Sequence, residues 1–268
     1  MAPAPPAEPV RAHRPIAEAS RRPLHRVVGG LGFVLGVGSM GAFVVWQAVL
    51  PRLEGSTPLR PGALAVAIDL ALVASFALVH SLLAREELRR RLFSRLPPAL
   101  ERSVYTWIAA LQIAALIVLW RPLPGLVWTV GSESARALLW TFHVLGWLVA
   151  VAGFHGAGAT HLFGLAQASA SAAGRPYLEP LLVTSGLYAR IRHPLYTGTL
   201  LALWSMPTMT NGRLLLAATL TAYIAIGARL EERDLARRHG AGYRSYRERV
   251  PGYVPIGARE GSSKSESD

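Results

Sequence analysis

The stretch GALAVAIDLALVASFALVHSLLA, residues 62 to 84, decides the fold: it is long enough to cross a bilayer and carries only Asp69 and His80 as ionisable groups. A helix rises 1.5 Å per residue, so the hydrocarbon layer takes about 20 apolar residues. Three further runs, 27 to 50, 103 to 120 and 136 to 156, also qualify alone. A shorter run, 194 to 209, and another, 212 to 228, read as a helical hairpin turned around MPTMTNG, where Pro207, Asn211 and Gly212 supply the break. The expected fold class is all-α: a polytopic integral membrane protein of five to six transmembrane helices, with a C-terminal helical hairpin and a cytoplasmic tail. Composition agrees, since 51% of the 268 residues are hydrophobic and only 16% are charged.

A net charge of +12 invites a nucleic-acid reading, but the arginines are distributed as a topology signal. They cluster before the first span (Arg11, Arg14, Arg21, Arg22, Arg26), after the second (Arg85, Arg89, Arg90, Arg91, Arg95, Arg102) and after the last. The alternate loops hold only Arg52 and Arg60, then Arg121, then Arg213. This is the positive-inside pattern for cytoplasmic N and C termini. Once the spans are removed no compact basic domain remains, so nucleic acid is not expected as a partner. Lys264 is the lone lysine, a usage typical of a GC-rich bacterial genome, and the bacterial inner membrane is the expected location. Four regions follow: a disordered cytoplasmic tail over 1–26, a four-helix transmembrane region over 27–156, a ligand-binding region with the final hairpin over 157–256, and a disordered tail over 257–268. The Pro/Ala-rich start does not read as a signal peptide.

With no cysteine in the chain, disulfides, a thiolate nucleophile and cysteine-ligated metals are excluded. His155 and His161 stand six apart, which puts their rings on different helix faces rather than at the i, i+4 spacing of a metal pair, so no metal site is expected. Asp69, mid-span, reads either as an interhelical hydrogen bond or as a group beside a ligand cavity. His80 reads as an interfacial structural group. The small residues Gly156 to Ala159 permit close helix approach or a bend.

The segment EPLLVTSGLYARIRHPLYTG, residues 179 to 198, concentrates polar chemistry at the mouth of a span. Thr184, Ser185 and Gly186 make a turn; Tyr188, Arg190, Arg192 and His193 follow, and Pro194 suits the first turn of a helix. That helix N-terminus favours a carboxylate or other anion. Because a hairpin is antiparallel, Glu231 and Glu232, just past the last span, should lie beside Arg192, His193 and Tyr196. Cations and donors on one side and carboxylates on the other suit a zwitterionic ligand with an amino-acid end, hydroxyls and an aromatic base. Arg190 and Arg192 also fit as membrane anchors.

The run LVTSGLYxxxRHPxYxG from Leu182 to Gly198, the pair Glu231 and Glu232, and Gly240-x-x-Tyr243-x-x-Tyr246-x-x-x-Val250-Pro251 resemble the integral-membrane methyltransferases related to isoprenylcysteine carboxyl methyltransferase. Within that superfamily the chain is most similar to the bacterial methanethiol S-methyltransferases, through DLALVASFALVHSLLAR (69–85), ERSVYTW (101–107), WRPLPGLVW (120–128) and HLFGLAQ (161–167). The resemblance implies S-adenosyl-L-methionine as cofactor, held by Leu181, Leu182, Val183, Tyr188, His193, Pro194, Leu195, Tyr196 and Glu231. It implies methyl transfer to a small thiol such as methanethiol, with His193, Arg192 and Glu232 as the candidate catalytic groups. The expected partners are that thiol and membrane lipid, with no obligate protein partner. Gly227 stands where the prenylcysteine enzymes carry an arginine for the substrate carboxylate, which argues against a prenylcysteine substrate. The chain also departs from the thiol methyltransferases at Gly158 to His161, where they carry Asn-His-Phe-Asp. Another small thiol, an amine, a lipid or isoprenylcysteine stays open as acceptor, as does a non-catalytic membrane protein of the nitrite and nitric-oxide reduction-associated type.

Overall fold

The computed structural model describes residues 22–55 and 62–254; most of the N-terminal tail, the loop around Arg60 and the C-terminal tail lie outside the described residues. Nine α-helices are described: α1 Arg22–Gly55, α2 Ala63–Ala84, α3 Glu86–Leu92, α4 Glu101–Leu119, α5 Glu133–Gly156, α6 Ala159–Leu162, α7 Leu165–Ala172, α8 Pro194–Trp204 and α9 Asn211–Arg249. Two short strands, β1 Leu126–Thr129 and β2 Thr208–Thr210, pair antiparallel. Five helices, α1, α2, α4, α5 and α9, are long and apolar enough to cross a membrane. The chain is thus a multi-pass, all-α membrane protein.

Two expectations change. The run from 194 to 209 is not a spanning helix. Its helical part, α8, has 11 residues, about 16 Å, roughly half the hydrocarbon layer. Beyond Trp204 the backbone becomes extended, and its polar groups are satisfied by β1: Val130 N donates to Pro207 O, and Trp128 Nε1 donates to Met206 O. Non-helical backbone is tolerated at membrane depth only when protein covers it, and Met206 and Met209 are fully covered. The second change is at the N-terminus. Residues 22 to 26, assigned to the tail, are helical, because His25 is buried and its Nδ1 meets Ser171 Oγ at 2.8 Å.

Lipid gives helices no hydrophobic reason to associate, so close packing must hold them together. On α1, a Cβ at Gly32 would lie 3.2 Å from Ser103 Cβ of α4, and one at Gly36 would lie 2.9 Å from the Phe163 ring. Between α5 and α8 the fit is tighter. A Cβ at Gly146 would stand 2.6 Å from Ala202 N, and one at Gly153 would stand 2.7 Å from Leu195 N. The apolar core joins Trp46 and Leu50 of α1, Val73 of α2, Leu116 of α4 and Leu216 of α9, with Trp120 closing it.

Buried polar groups pin the end of the bundle away from α8's N-terminus. Glu54 accepts from Trp120 Nε1 at 3.4 Å, Leu123 N at 3.2 Å and the Thr210 hydroxyl. Asp69 accepts from Arg121 N at 2.8 Å, so it ties α2 to the loop that follows α4. Arg213 is fully buried, donating to Gln47 O and to Leu203 O. Both described ends of the chain lie at the opposite face, with the α8 N-terminus.

Candidate active site

The site is built where α8 begins and α9 emerges. The backbone enters through a 3-10 turn, Gly186–Ala189, and Pro194 opens α8 at a position whose N–H would be unpaired in any case. From Asn211 to Glu231 the helix rises about 30 Å, the thickness of the hydrocarbon, so Glu231 and Glu232 emerge at the membrane face. At Gly240 the helix breaks, with φ 54° and ψ −125°, a left-handed conformation that glycine alone adopts cheaply. That break turns residues 241–249 back over the site. Tyr246 OH donates to Tyr188 O at 2.6 Å, Arg192 N donates to Pro251 O at 2.9 Å and His193 N donates to Gly252 O at 3.0 Å.

Glu232 is the hub. Its Oε1 accepts from Arg192 Nε at 3.0 Å, Arg192 Nη2 at 2.7 Å and His193 Nε2 at 2.9 Å. Arg192 Nη1 donates to Arg247 O at 3.0 Å and to Val250 O at 2.5 Å. All three guanidinium nitrogens of Arg192 are therefore engaged within the fold, which ties α8, α9 and the C-terminal segment together. Glu231 differs. Its Oε2 accepts from Tyr196 OH at 2.8 Å, and the half-exposed carboxylate leaves Oε1 to a cation. His193 is buried between the rings of Tyr196 and Tyr253, at centroid distances of 5.5 and 5.4 Å. Tyr188 lies one layer further in, its hydroxyl donating to Gly153 O at 3.1 Å.

The electrostatics follow from these contacts. Burial alone would raise the Glu232 carboxyl, but the hydrogen bonds from His193 and Arg192 and the charge of Arg192 outweigh it and hold it below the usual carboxylate range. Burial, with Glu231 and Tyr246 nearby, pushes the Tyr188 phenol up to about 12, so it stays a neutral donor. Tyr253 is raised for the same reasons, burial first and then Glu232 and Glu231.

The structure thus brings together Tyr188, Arg192, His193, Tyr196, Glu231 and Glu232. Pro194 is buried beneath them, and Leu195 packs on α5 through its backbone at Gly153. Leu181, Leu182 and Val183 lie on the loop that enters the turn, and Leu181 is 89% exposed. Arg190 is exposed. Two tyrosines escaped the sequence reading. Tyr253 stacks on His193, and Tyr223 precedes Gly227 and Glu231 at intervals of four, the spacing that puts all three on one face of α9. Among the described residues no group of three or more His, Asp or Glu could hold a metal ion.

Comparison with known proteins finds relatives over most of the chain. The chain is 38% identical to methanethiol S-methyltransferase 2 of Bradyrhizobium diazoefficiens over 225 residues, 84% of this chain and 85% of that one. It is 35% identical to the methanethiol S-methyltransferase of Mycobacterium tuberculosis over 211 residues, 79% of this chain and 86% of that one. Nurim of Xenopus laevis is 28% identical over 77% of this chain and 80% of its own. No family model and no solved structure matches. Both methanethiol S-methyltransferases match over most of this chain and of their own, and the chain belongs to the methanethiol S-methyltransferase family.

Proposed function

We propose that this protein transfers the methyl group of S-adenosylmethionine to methanethiol, forming dimethyl sulfide, at the bacterial inner membrane with both termini in the cytoplasm. The observation that carries the reading is the mouth of the hairpin: a carboxylate with one open oxygen, Glu231, among Tyr188, Tyr196 and Tyr253 at a membrane face, in a chain similar to methanethiol S-methyltransferases.

The donor set fits the cofactor. Glu231 Oε1 suits an ammonium, the tyrosine rings suit an adenine face, and the turn at Gly186 leaves open space, since a Cβ there would meet nothing within 4 Å. When bound, S-adenosylmethionine supplies a methyl group on a sulfonium. Tyr196 orients Glu231, and His193, fixed by Glu232 and stacked on Tyr196, forms the buried wall behind it. The chain needs no nucleophile of its own, in keeping with its lack of cysteine. A thiolate and a sulfonium become two neutral products, a charge annihilation that a site screened from water favours. Gly227, with open space where a Cβ would be, offers no clamp for a substrate carboxylate, as suits a small thiol.

Calorimetry with S-adenosylhomocysteine tests the site. Glu231→Ala should weaken binding at least about tenfold, the loss of one charge-assisted contact, while the protein remains monodisperse. Binding equal to wild type would move the cofactor elsewhere.

A further inference from the structure

Arg102 stands in the first turns of α4, half-buried, and its guanidinium makes no hydrogen bond and no ion pair among the described residues. The charged and titratable groups around it are Arg89, Tyr105, Tyr177 and Glu179, and Glu179 comes no closer than 4 Å. Among the described residues the buried arginines have acceptors: Arg89 has Leu83 O and Glu101, and Arg213 has Gln47 O. The Arg102 guanidinium keeps contact with solvent, so it is an unpaired cation that an arriving anion can reach.

A polar cluster stands beside it, because Gly164, between His161 and Gln167, packs on this turn of α4: a Cβ there would lie 2.9 Å from the Arg102 carbonyl carbon. Burial first, and then the charges of Arg102, Arg238 and Arg89, holds the His161 imidazole down at about 4, so it is neutral at physiological pH. His161 Nδ1 accepts from the Tyr177 hydroxyl and from Gln167 Nε2 at 3.1 Å, and the Tyr177 ring stacks on the imidazole at 5.8 Å. With Nδ1 accepting, the neutral ring carries its hydrogen on Nε2, and that N–H has no partner among the described residues. Gln167 Oε1 is buried beside them, also without a partner. Two donors and one acceptor are thus left open in one cluster.

A polar line connects this cluster to the cofactor mouth. Tyr105 shares the Arg102 face of α4, three residues on, and its hydroxyl meets His80 Nε2 at 3.0 Å. The His80 ring contacts Tyr223 at 6.5 Å, Tyr223 is within electrostatic reach of Tyr196, and Tyr196 holds Glu231.

We infer that Arg102, with the Nε2–H of His161, is the acceptor site, and that it binds the methyl acceptor as its thiolate. This inference rests on the thiol methyltransferase reading above. An entering thiol places its S–H on Gln167 Oε1 and its sulfur against Arg102. The proton then leaves to bulk solvent, and the guanidinium holds the anion. In the transfer, the thiolate sulfur forms a bond to the methyl carbon as the bond from that carbon to the donor sulfonium breaks. The electron pair of the broken bond stays on the donor sulfur, so charge and atoms balance.

The full-length protein in detergent tests this with Arg102→Gln and Arg102→Lys. Thiocyanate serves as an unreactive anion of about the size and softness of methanethiolate. Calorimetry on the complex with S-adenosylhomocysteine should show thiocyanate binding in wild type and in Arg102→Lys, and none in Arg102→Gln. In turnover with methanethiol, Arg102→Gln should raise KM at least thirtyfold and move the acid limb of the pH profile upward, while S-adenosylhomocysteine affinity stays within twofold and Arg102→Lys recovers most of the loss. Thiocyanate binding or methanethiol KM unchanged in Arg102→Gln overturns the inference, and so does weakened S-adenosylhomocysteine binding, which would assign Arg102 to the cofactor carboxylate. Failure of wild type to methylate any thiol is a different result and overturns the reading beneath it.

Discussion

At the scale of single residues, the site separates groups that hold the fold from groups free to meet a ligand. Glu232 belongs to the first kind. Glu232→Gln leaves Arg192 and His193 without their shared anion and should cost about 2 to 3 kcal/mol, read as a lower thermal midpoint. The folded Glu232 carboxyl lies below its ordinary value of 4.5, so its contribution is complete above pH 4.5 and is lost as pH falls through the lower folded value. Wild-type stability should therefore drop more steeply than that of Glu232→Gln below about pH 4.5; parallel curves would deny the linkage. Tyr196→Phe frees Glu231 from its one hydrogen-bond donor among the described residues, and S-adenosylhomocysteine affinity should fall about fivefold, the worth of roughly 1 kcal/mol in a hydrogen bond. This scale was only partly legible in the sequence. Motif order placed His193, Tyr196, Glu231 and Glu232 in one cluster, since an antiparallel pair must bring its ends together. Arg102, Arg192 and Arg213 look alike in the sequence. Only packing shows that one has no side-chain partner among the described residues, one is saturated and one is buried in the core.

At the scale of elements, the junction of α5 and α8 sets the geometry of the mouth, because Tyr188 and Leu195 both rest on the last turns of α5. Gly146→Val would push side-chain carbon onto Ala202 N and Gly198 O, backbone atoms that cannot rotate away. We expect a loss of at least about 3 kcal/mol, seen as aggregation on detergent extraction, whereas substitution at lipid-facing Leu148 should extract normally. The length of α8 was not legible, because hydropathy does not distinguish a helix from covered extended backbone. The stop at Trp204 depends on β1, some 80 residues earlier in the chain, which supplies the hydrogen bonds that Pro207 and its neighbours require. The four long runs were legible, because in lipid an apolar stretch of that length can satisfy its backbone only as a helix.

At the scale of the whole molecule, the bundle puts both described ends, the α8 N-terminus and the charged half of α9 at one face, with the Glu54 and Arg213 network at the other. The absence of cysteine makes this directly testable with single reporters. Arg26→Cys and Arg249→Cys should be modified from the same side of sealed vesicles, and Ser134→Cys from the opposite side. Labelling of residues 26 and 249 from different sides would break the topology. The central claim is that this bundle carries a methyl group from S-adenosylmethionine to a small thiol, and turnover measures it most directly. Purified protein supplied with S-adenosylmethionine and methanethiol should release dimethyl sulfide in step with S-adenosylhomocysteine, and Glu231→Ala should not. Absence of dimethyl sulfide from folded wild-type protein that binds S-adenosylmethionine would contradict the account.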